Sequence, residues 1–281
     1  MIVVTGATGN IGRPLVAALA SAGEHVTAVS RNPSAQAPAP GVRQYGADLA
    51  EPAALAPALH GADALFLLVT GPLLVGGAHP RELVEVVRAS GVGRVVLLSS
   101  QAAGTRPHLA SHAGPRAYEA GLRNIGGDWT VLRPGGFFTN SLQWAESVRA
   151  RRTVAAPFGD VGLPYLDPAD IASVAAAVLR EPGHTGRTYE LTGPAPITPR
   201  QQARDIGAAL GTPVRFVEQS RAEALLELLR FMPDPIAHGT LDILGAPTEA
   251  ERQVSPDVEK ILGRAPGTYA DWVARRAAAF A

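Results

Sequence analysis

The stretch Met1-Ile2-Val3-Val4-Thr5-Gly6-Ala7-Thr8-Gly9-Asn10-Ile11-Gly12 decides the fold of this chain, because it leads into Leu15, Leu19 and Ala22 at helical spacing, Gly23, and a second apolar run over residues 25–30. That order reads as strand, glycine turn, helix, strand. Glycine at positions 6 and 9 lets the backbone turn tightly and approach an anion, and a helix opening near Asn10 directs free N–H groups and its positive dipole end at that point. Gly12 lets the helix pack close to the strand, and Gly23 closes the helix. The spacing therefore predicts a pyrophosphate cradle. In folds of this kind the end of the second strand faces the adenosine ribose: an acidic residue there accepts from a 2′-hydroxyl, whereas an arginine accommodates a 2′-phosphate. Arg31 stands at that point, which predicts NADP(H) in preference to NAD(H).

Composition narrows the class. With 281 residues, 46% of them hydrophobic, the chain is long enough to bury a large core. Its 25 basic and 25 acidic residues cancel, so no net field draws it to nucleic acid or to an anionic membrane, and a small molecule is the expected partner. The chain has no cysteine, which excludes disulfides, thiolate catalysis and zinc-thiolate sites. The first residues carry no secretory pattern, and a cytoplasmic location is expected. Residues 62–78 form the longest apolar stretch, but Gly71-Pro72 and Gly76-Gly77 break it, so it reads as strand plus loop and not as a membrane span of about 20 apolar residues. No histidine shows metal-ligand spacing with carboxylates, and no metal is expected.

Further along, short strands over residues 42–45, 62–70, 94–100 and 129–132 alternate with helical patterns over 79–90 and 118–124. Residues 107–115 read as a loop, and residues 133–138 as the loop that leaves the last of those strands. This alternation predicts an α/β fold, a doubly wound parallel sheet of the Rossmann type, over residues 1–152. Residues 153–281, where Pro-rich turns separate shorter pieces, read as a smaller substrate-side cap that can interleave with the first region. The carboxyl edge of the sheet would gather Gly6, Arg31, Asp48, Thr70, Ser99 and Ser100.

The segments 5–12, Ser30-Arg31-Asn32-Pro33, Gly46-Ala47-Asp48-Leu49, 94–100, 129–135 with Phe137 and Asn140, Asp170-Ile171-Ala172 and 189–193 together make the chain similar to the NmrA-like branch of atypical short-chain dehydrogenases/reductases. That branch includes NAD(P)H:quinone oxidoreductases and NADP(H)-sensing regulators. The resemblance implies that Thr8, Gly9, Asn10 and Ile11 meet the pyrophosphate and Arg31 the 2′-phosphate. It implies Asp48 and Leu49 beside the adenine, Val69 and Thr70 beside the ribose, and residues 134–137, from Pro134 to Phe137, near the nicotinamide. Ser99 is expected on the nucleotide side, and Ser100, Phe137, Phe138 and Asn140 on the substrate side. Several have a plainer alternative: Arg31 as a solvated loop arginine, Asp48 as a helix N-cap, the serines as strand-end hydroxyls bonded to local backbone, and at least one of the phenylalanines as core.

One expected device is missing. Typical short-chain reductases pair a tyrosine with a lysine four positions on, but the only lysine here is Lys260, and Tyr118 is followed at that distance by Leu122. Counting from the serine pair puts His112 and Arg116 in those slots; aligning on Glu119 puts Ser111 and Pro115 there. His112 is the candidate proton donor, since an imidazole titrates near neutrality. Without the pair, an isolated ketone is a poor substrate because its alkoxide needs an aligned acid, whereas a reduced quinone or conjugated enone is a delocalised anion that solvent can protonate. The expectation is an NADPH-dependent reductase of a quinone-like or conjugated apolar small molecule. The alternatives are a non-catalytic NADP(H)-sensing regulator and, behind it, a nucleotide-dependent epimerase. Helix faces of this fold often pair, so a homodimer is possible.

Overall fold

The computed structural model describes residues 1–69 and 80–281. Thr70 and the loop read at residues 71–78 lie outside the described residues. Seven strands form one sheet in the order β3-β2-β1-β4-β5-β6-β8: β1 Ile2–Thr5, β2 Val26–Ser30, β3 Val42–Gly46, β4 Ala64–Leu68, β5 Arg94–Leu98, β6 Asp128–Pro134 and β8 Arg187–Leu191. Every pairing is parallel. A second, two-stranded parallel sheet joins β7 Thr153–Pro157 to β9 Arg215–Gln219.

Alternation along the strands sorts the core into two layers, as a period of two requires. Ile2, Val4, Ala28, Phe66, Val96 and Leu132 point to one face, where they meet Leu15 and Leu19 of the helix Gly12–Ser21 and Ile171, Val174 and Val178 of the helix Pro168–Arg180. Val3, Val29, Leu65, Leu67, Val95, Leu97 and Val131 point to the other, under Leu59, Leu83, Val87, Tyr118 and Leu122. A sheet covered on both faces needs strands apolar at every position, which is why β1 and β4 are continuous apolar runs. A third core, centred on Phe138, Tyr269 and Trp272, lies outside the large sheet. Beyond residue 153 the chain returns to the large sheet twice, as the helix Pro168–Arg180 and as β8.

Two local readings are corrected. Only residues 107–109 of the span 107–115 stay outside helix: a 3-10 turn covers Ala110–His112 and the helix Ala113–Leu122 starts directly after it. Pro115 is the third residue of that helix, inside the first turn, where its missing N–H costs no intrahelical bond. β6 continues through Arg133 and Pro134, which pair with Glu190 and Leu191 of β8. An edge partner that lies further along the chain extended the strand beyond its own apolar run.

The sheet order reverses between β1 and β4, and the turn after β1 is built for close approach. Gly6 has φ +64°, and a Cβ on Gly12 would stand 2.2 Å from the Gly6 carbonyl oxygen. The neighbour is backbone and not a flexible side chain, so Gly12→Ala forces the helix off the strand. It is expected to lower stability by about 1–3 kcal/mol, the usual range for overpacking, as read by urea unfolding.

Candidate active site

All seven strands of the large sheet run in one direction, so their carboxyl ends line a single edge, where open parallel sheets hold ligands. At its centre Thr8, Gly9 and Asn10 are exposed between buried Ala7 and Ile11. No side chain caps the helix Gly12–Ser21, and its first turn has no acidic residue. Its leading N–H groups therefore lack a side-chain acceptor and face the edge with the positive end of the dipole. Ile11 and Gly12 are buried, so they offer backbone only.

Arg31 follows β2 and is exposed. The Ala47 N–H donates to the Ser30 carbonyl at 3.1 Å, which brings the ends of β2 and β3 together and sets Asp48 beside Arg31 along the edge. Asp48 is exposed and its Oδ1 accepts from the Ala50 N–H at 3.0 Å, a turn contact; the N-cap of the following 3-10 helix is Glu51. Leu49 and Val69 pack against the core beneath β3 and β4, Val69 with only 6% of its surface exposed, so at Val69 the backbone is what the edge presents.

Three expected site residues have partners within the protein. The Ser99 hydroxyl, expected on the nucleotide side, donates to Glu119 Oε1 at 2.6 Å. Ser100 caps the helix Gln101–Thr105 by accepting from the Ala102 N–H. Phe138 is buried in the third core, with its ring edge-on to Tyr269 at 5.2 Å between centroids. Phe137 and Asn140, by contrast, line a cavity of about 380 Å³. Phe137 stands in extended backbone, bridged to Leu166, and Phe138 opens the 3-10 helix Phe138–Trp144, so the chain turns between them and the two rings leave in different directions.

The other walls of that cavity come from Trp144, Phe158, Tyr165, Gln219, Leu228 and Phe231, among others, and were not legible in the sequence. They are scattered along the chain and follow no motif. Tyr165 crosses the loop after β6, and a Cβ on Gly136 would stand 2.2 Å from its ring. Burial pushes the Tyr165 phenol up to about 12, so it is protonated at neutral pH.

His112 does not line the cavity. Its Nδ1 lies 3.0 Å from the Ser111 hydroxyl, and burial first, then Arg116, lowers its pKa. His112 thus stands off this cavity, at the end of the 3-10 turn that leads into the helix Ala113–Leu122.

The charged centre that does underlie the edge is Glu119. Only 2% of its surface is exposed, and Arg133 pairs with it at two points, Nε to Oε1 at 2.9 Å and Nη2 to Oε2 at 2.7 Å. Arg133 also reaches Glu190 at 3.3 Å, and a Cβ on Gly104 would stand 2.3 Å from its Nη1. Burial pushes the Glu119 carboxyl up, but the hydrogen bonds from Arg133 and Ser99 and the charges of Arg133 and Arg123 outweigh it, holding the group below its ordinary value. Burial keeps Glu190 above its own. The sequence pattern puts Arg133 in a loop, where a paired role has no signature.

An open parallel sheet with a glycine turn at its switch point and a free helix N-terminus behind it defines a dinucleotide-binding α/β protein. Comparison with known proteins gives the family: residues 6–182 match the NAD(P)H-binding family, and the chain belongs to it. It is 35% identical, over 100% of its length and 99% of the relative's, to the (4-alkanoyl-5-oxo-2,5-dihydrofuran-3-yl)methyl phosphate reductase of Streptomyces griseus subsp. griseus. It is 31% identical, over the same shares, to the NAD(P)H azoreductase of Xenophilus azovorans. Among solved structures it is similar to the NADPH-dependent quinone oxidoreductase of Escherichia coli in complex with NADPH, at a TM-score of 0.82 and 28% identity, over 98% of this chain and 99% of that one. The kinship with atypical reductases read from the motifs holds, and the chain is an NAD(P)H-dependent oxidoreductase.

Because Glu119 has a folded pKa below its unfolded one, the stability it contributes is present at neutral pH and lost as pH falls through the folded value. Glu190 has the opposite sign: its ionisation costs stability above its raised pKa. Glu119→Gln leaves Arg133 short of its buried partner and is expected to cost about 3–5 kcal/mol at neutral pH. Urea unfolding at neutral pH and at about pH 4 should show the gap between variant and wild type narrowing in acid.

Proposed function

We propose that this protein is an NADPH-dependent reductase that transfers hydride to a quinone-like or conjugated apolar small molecule held in the cavity beside Phe137. The single observation that carries this reading is the cavity itself, which joins the carboxyl edge at Phe137 and Asn140 to aromatic and aliphatic side chains from the far end of the chain. The names of the relatives point the same way. An alkanoyl-substituted oxo-dihydrofuran, an azo bond and a quinone are all conjugated electrophiles.

The residues at the edge fit the nucleotide. The close packing at Gly6 and Gly12 keeps the turn free of side chains, and the N–H groups of Thr8, Gly9, Asn10 and Ile11 and of the uncapped helix can donate to a pyrophosphate. Arg31 would take the 2′-phosphate, Asp48 and Leu49 would border the adenine, and the Val69 backbone the ribose. Residues 134–137 would border the nicotinamide. NADPH supplies the hydride when bound. The chain's part is to position donor and acceptor and to keep the cavity dry. Phe137 and Trp144 give an acceptor ring apolar surface, and Tyr165 presents a protonated phenol at the same wall. No tyrosine with a lysine four residues on is present, and a delocalised product anion takes its proton from solvent.

Arg31→Ala is expected to weaken NADPH binding about tenfold, the loss of one charge-assisted phosphate contact, with NADH binding unchanged. Decay of the nicotinamide absorbance on adding naphthoquinones and enones tests the reaction. Phe137→Ala should raise the acceptor KM about tenfold. No acceptor-dependent decay with any member of such a panel would overturn the reading.

A further inference from the structure

The charge of the cavity wall narrows the acceptor further, an inference that rests on the proposed reductase reading. Among the described residues, the side chains lining the cavity include neither arginine, lysine nor histidine, and a single ionised group, Glu227, stands on the wall. Glu227 is exposed on the helix Arg221–Leu228, and its Oε1 accepts from Gln219 Nε2 at 2.9 Å, which ties it to another lining residue on β9. The arginines on neighbouring elements do not offset it. Arg221 is paired with Asp242 at 2.7 Å, and Arg200 with Asp160 and Glu218 at 2.9 and 3.3 Å. Arg230 is exposed and does not line the cavity.

An anionic group entering such a cavity would lose water, meet no cation and face a carboxylate held in place. The relative from Streptomyces griseus is named for a methyl phosphate substrate. Among the described residues, a phosphate meets neutral donors but no cation in this wall. We infer that the acceptor of this protein carries no phosphate, sulfonate or carboxylate, and that Glu227 is the specificity-determining residue that rejects such groups. The aromatic walls and neutral amides such as Gln143 and Gln219 suit an uncharged ring system that carries carbonyl groups.

The test is calorimetric binding of naphthoquinone and of its monosulfonate to the nucleotide-free protein, where no hydride donor is present, no turnover occurs and no nicotinamide cation stands beside the cavity, for wild type, Glu227→Gln and Glu227→Arg. Glu227 is exposed, so both substitutions leave the core untouched, and Glu227→Gln serves should the arginine variant fail to fold. Wild type is expected to bind the neutral quinone at least about tenfold more tightly than the sulfonate. Glu227→Gln should shrink that ratio, and Glu227→Arg should shrink it further by tightening the sulfonate alone. Equal affinity of wild type for both compounds, or a ratio unmoved by either substitution, would overturn the charge filter while leaving the cavity as an acceptor site. Failure of every form to bind either quinone would instead overturn the cavity as the acceptor site, and the filter with it.

Discussion

The carbonyl of Gly6 occupies the place where a side chain on residue 12 would begin, and the rest of the edge depends on that contact. It presses the first helix onto β1, which seats Leu15 and Leu19 in the core and leaves Thr8, Gly9 and Asn10 exposed at the reversal of the strand order. Close packing and ligand access are the same constraint here: the side chains absent from the turn are those that would hold the helix off the strand and an anion off the helix. The uncapped first turn fits that purpose. A serine or aspartate cap would satisfy the N–H groups internally and remove the reason for an anion to bind.

A second constraint sits below the opposite half of the edge. Glu119 on a helix, Ser99 after β5, Arg133 on β6 and Glu190 on β8 form one hydrogen-bonded cluster, which couples the ends of these elements. A buried carboxylate costs desolvation, and the two-point bond from Arg133 with the Ser99 hydroxyl more than offsets it. The cluster stands where the loop to Phe137 leaves the sheet, so it orients that loop without touching the cavity. Arg106 plays a similar part for the C-terminal region, bonding both oxygens of buried Glu251 at 2.8 Å and the Ala246 carbonyl at 2.7 Å. This fastens the end of the helix Asp234–Gly245, one wall of the cavity, to the segment after β5.

The cavity is thus a product of distant segments. Phe137 and Asn140 arrive from the loop after β6, Tyr165 from the approach to the helix Pro168–Arg180, Gln219 from β9 and Phe231 from the turn after the helix Arg221–Leu228. Each position is set by a different anchor. Phe158, at φ +57°, is held in a left-handed conformation with its ring against Gly245, a contact that neither residue announces in its own neighbourhood.

Legible in the residues taken in order are the features that local physics writes into a short window. The continuous apolar strands, their alternation with helices, the glycine turn at residues 6–12 and Arg31 at the end of β2 are such features, because backbone reach and side-chain periodicity confine them to a few residues. The helical start at Ala113, the extension of β6 to Pro134 and the turning of Ser99 toward Glu119 depend on partners contributed from elsewhere, and no short window shows them. Phe137 and Phe138 show the division most plainly. Adjacent in the chain and alike in chemistry, they part where extended backbone gives way to a 3-10 turn, one to the cavity and one to the core. The chain's own order established the sheet, the glycine turn and the NAD(P)H-binding class. Packing decided which side chains line the cavity, because contacts between residues far apart in sequence have no local signature to read.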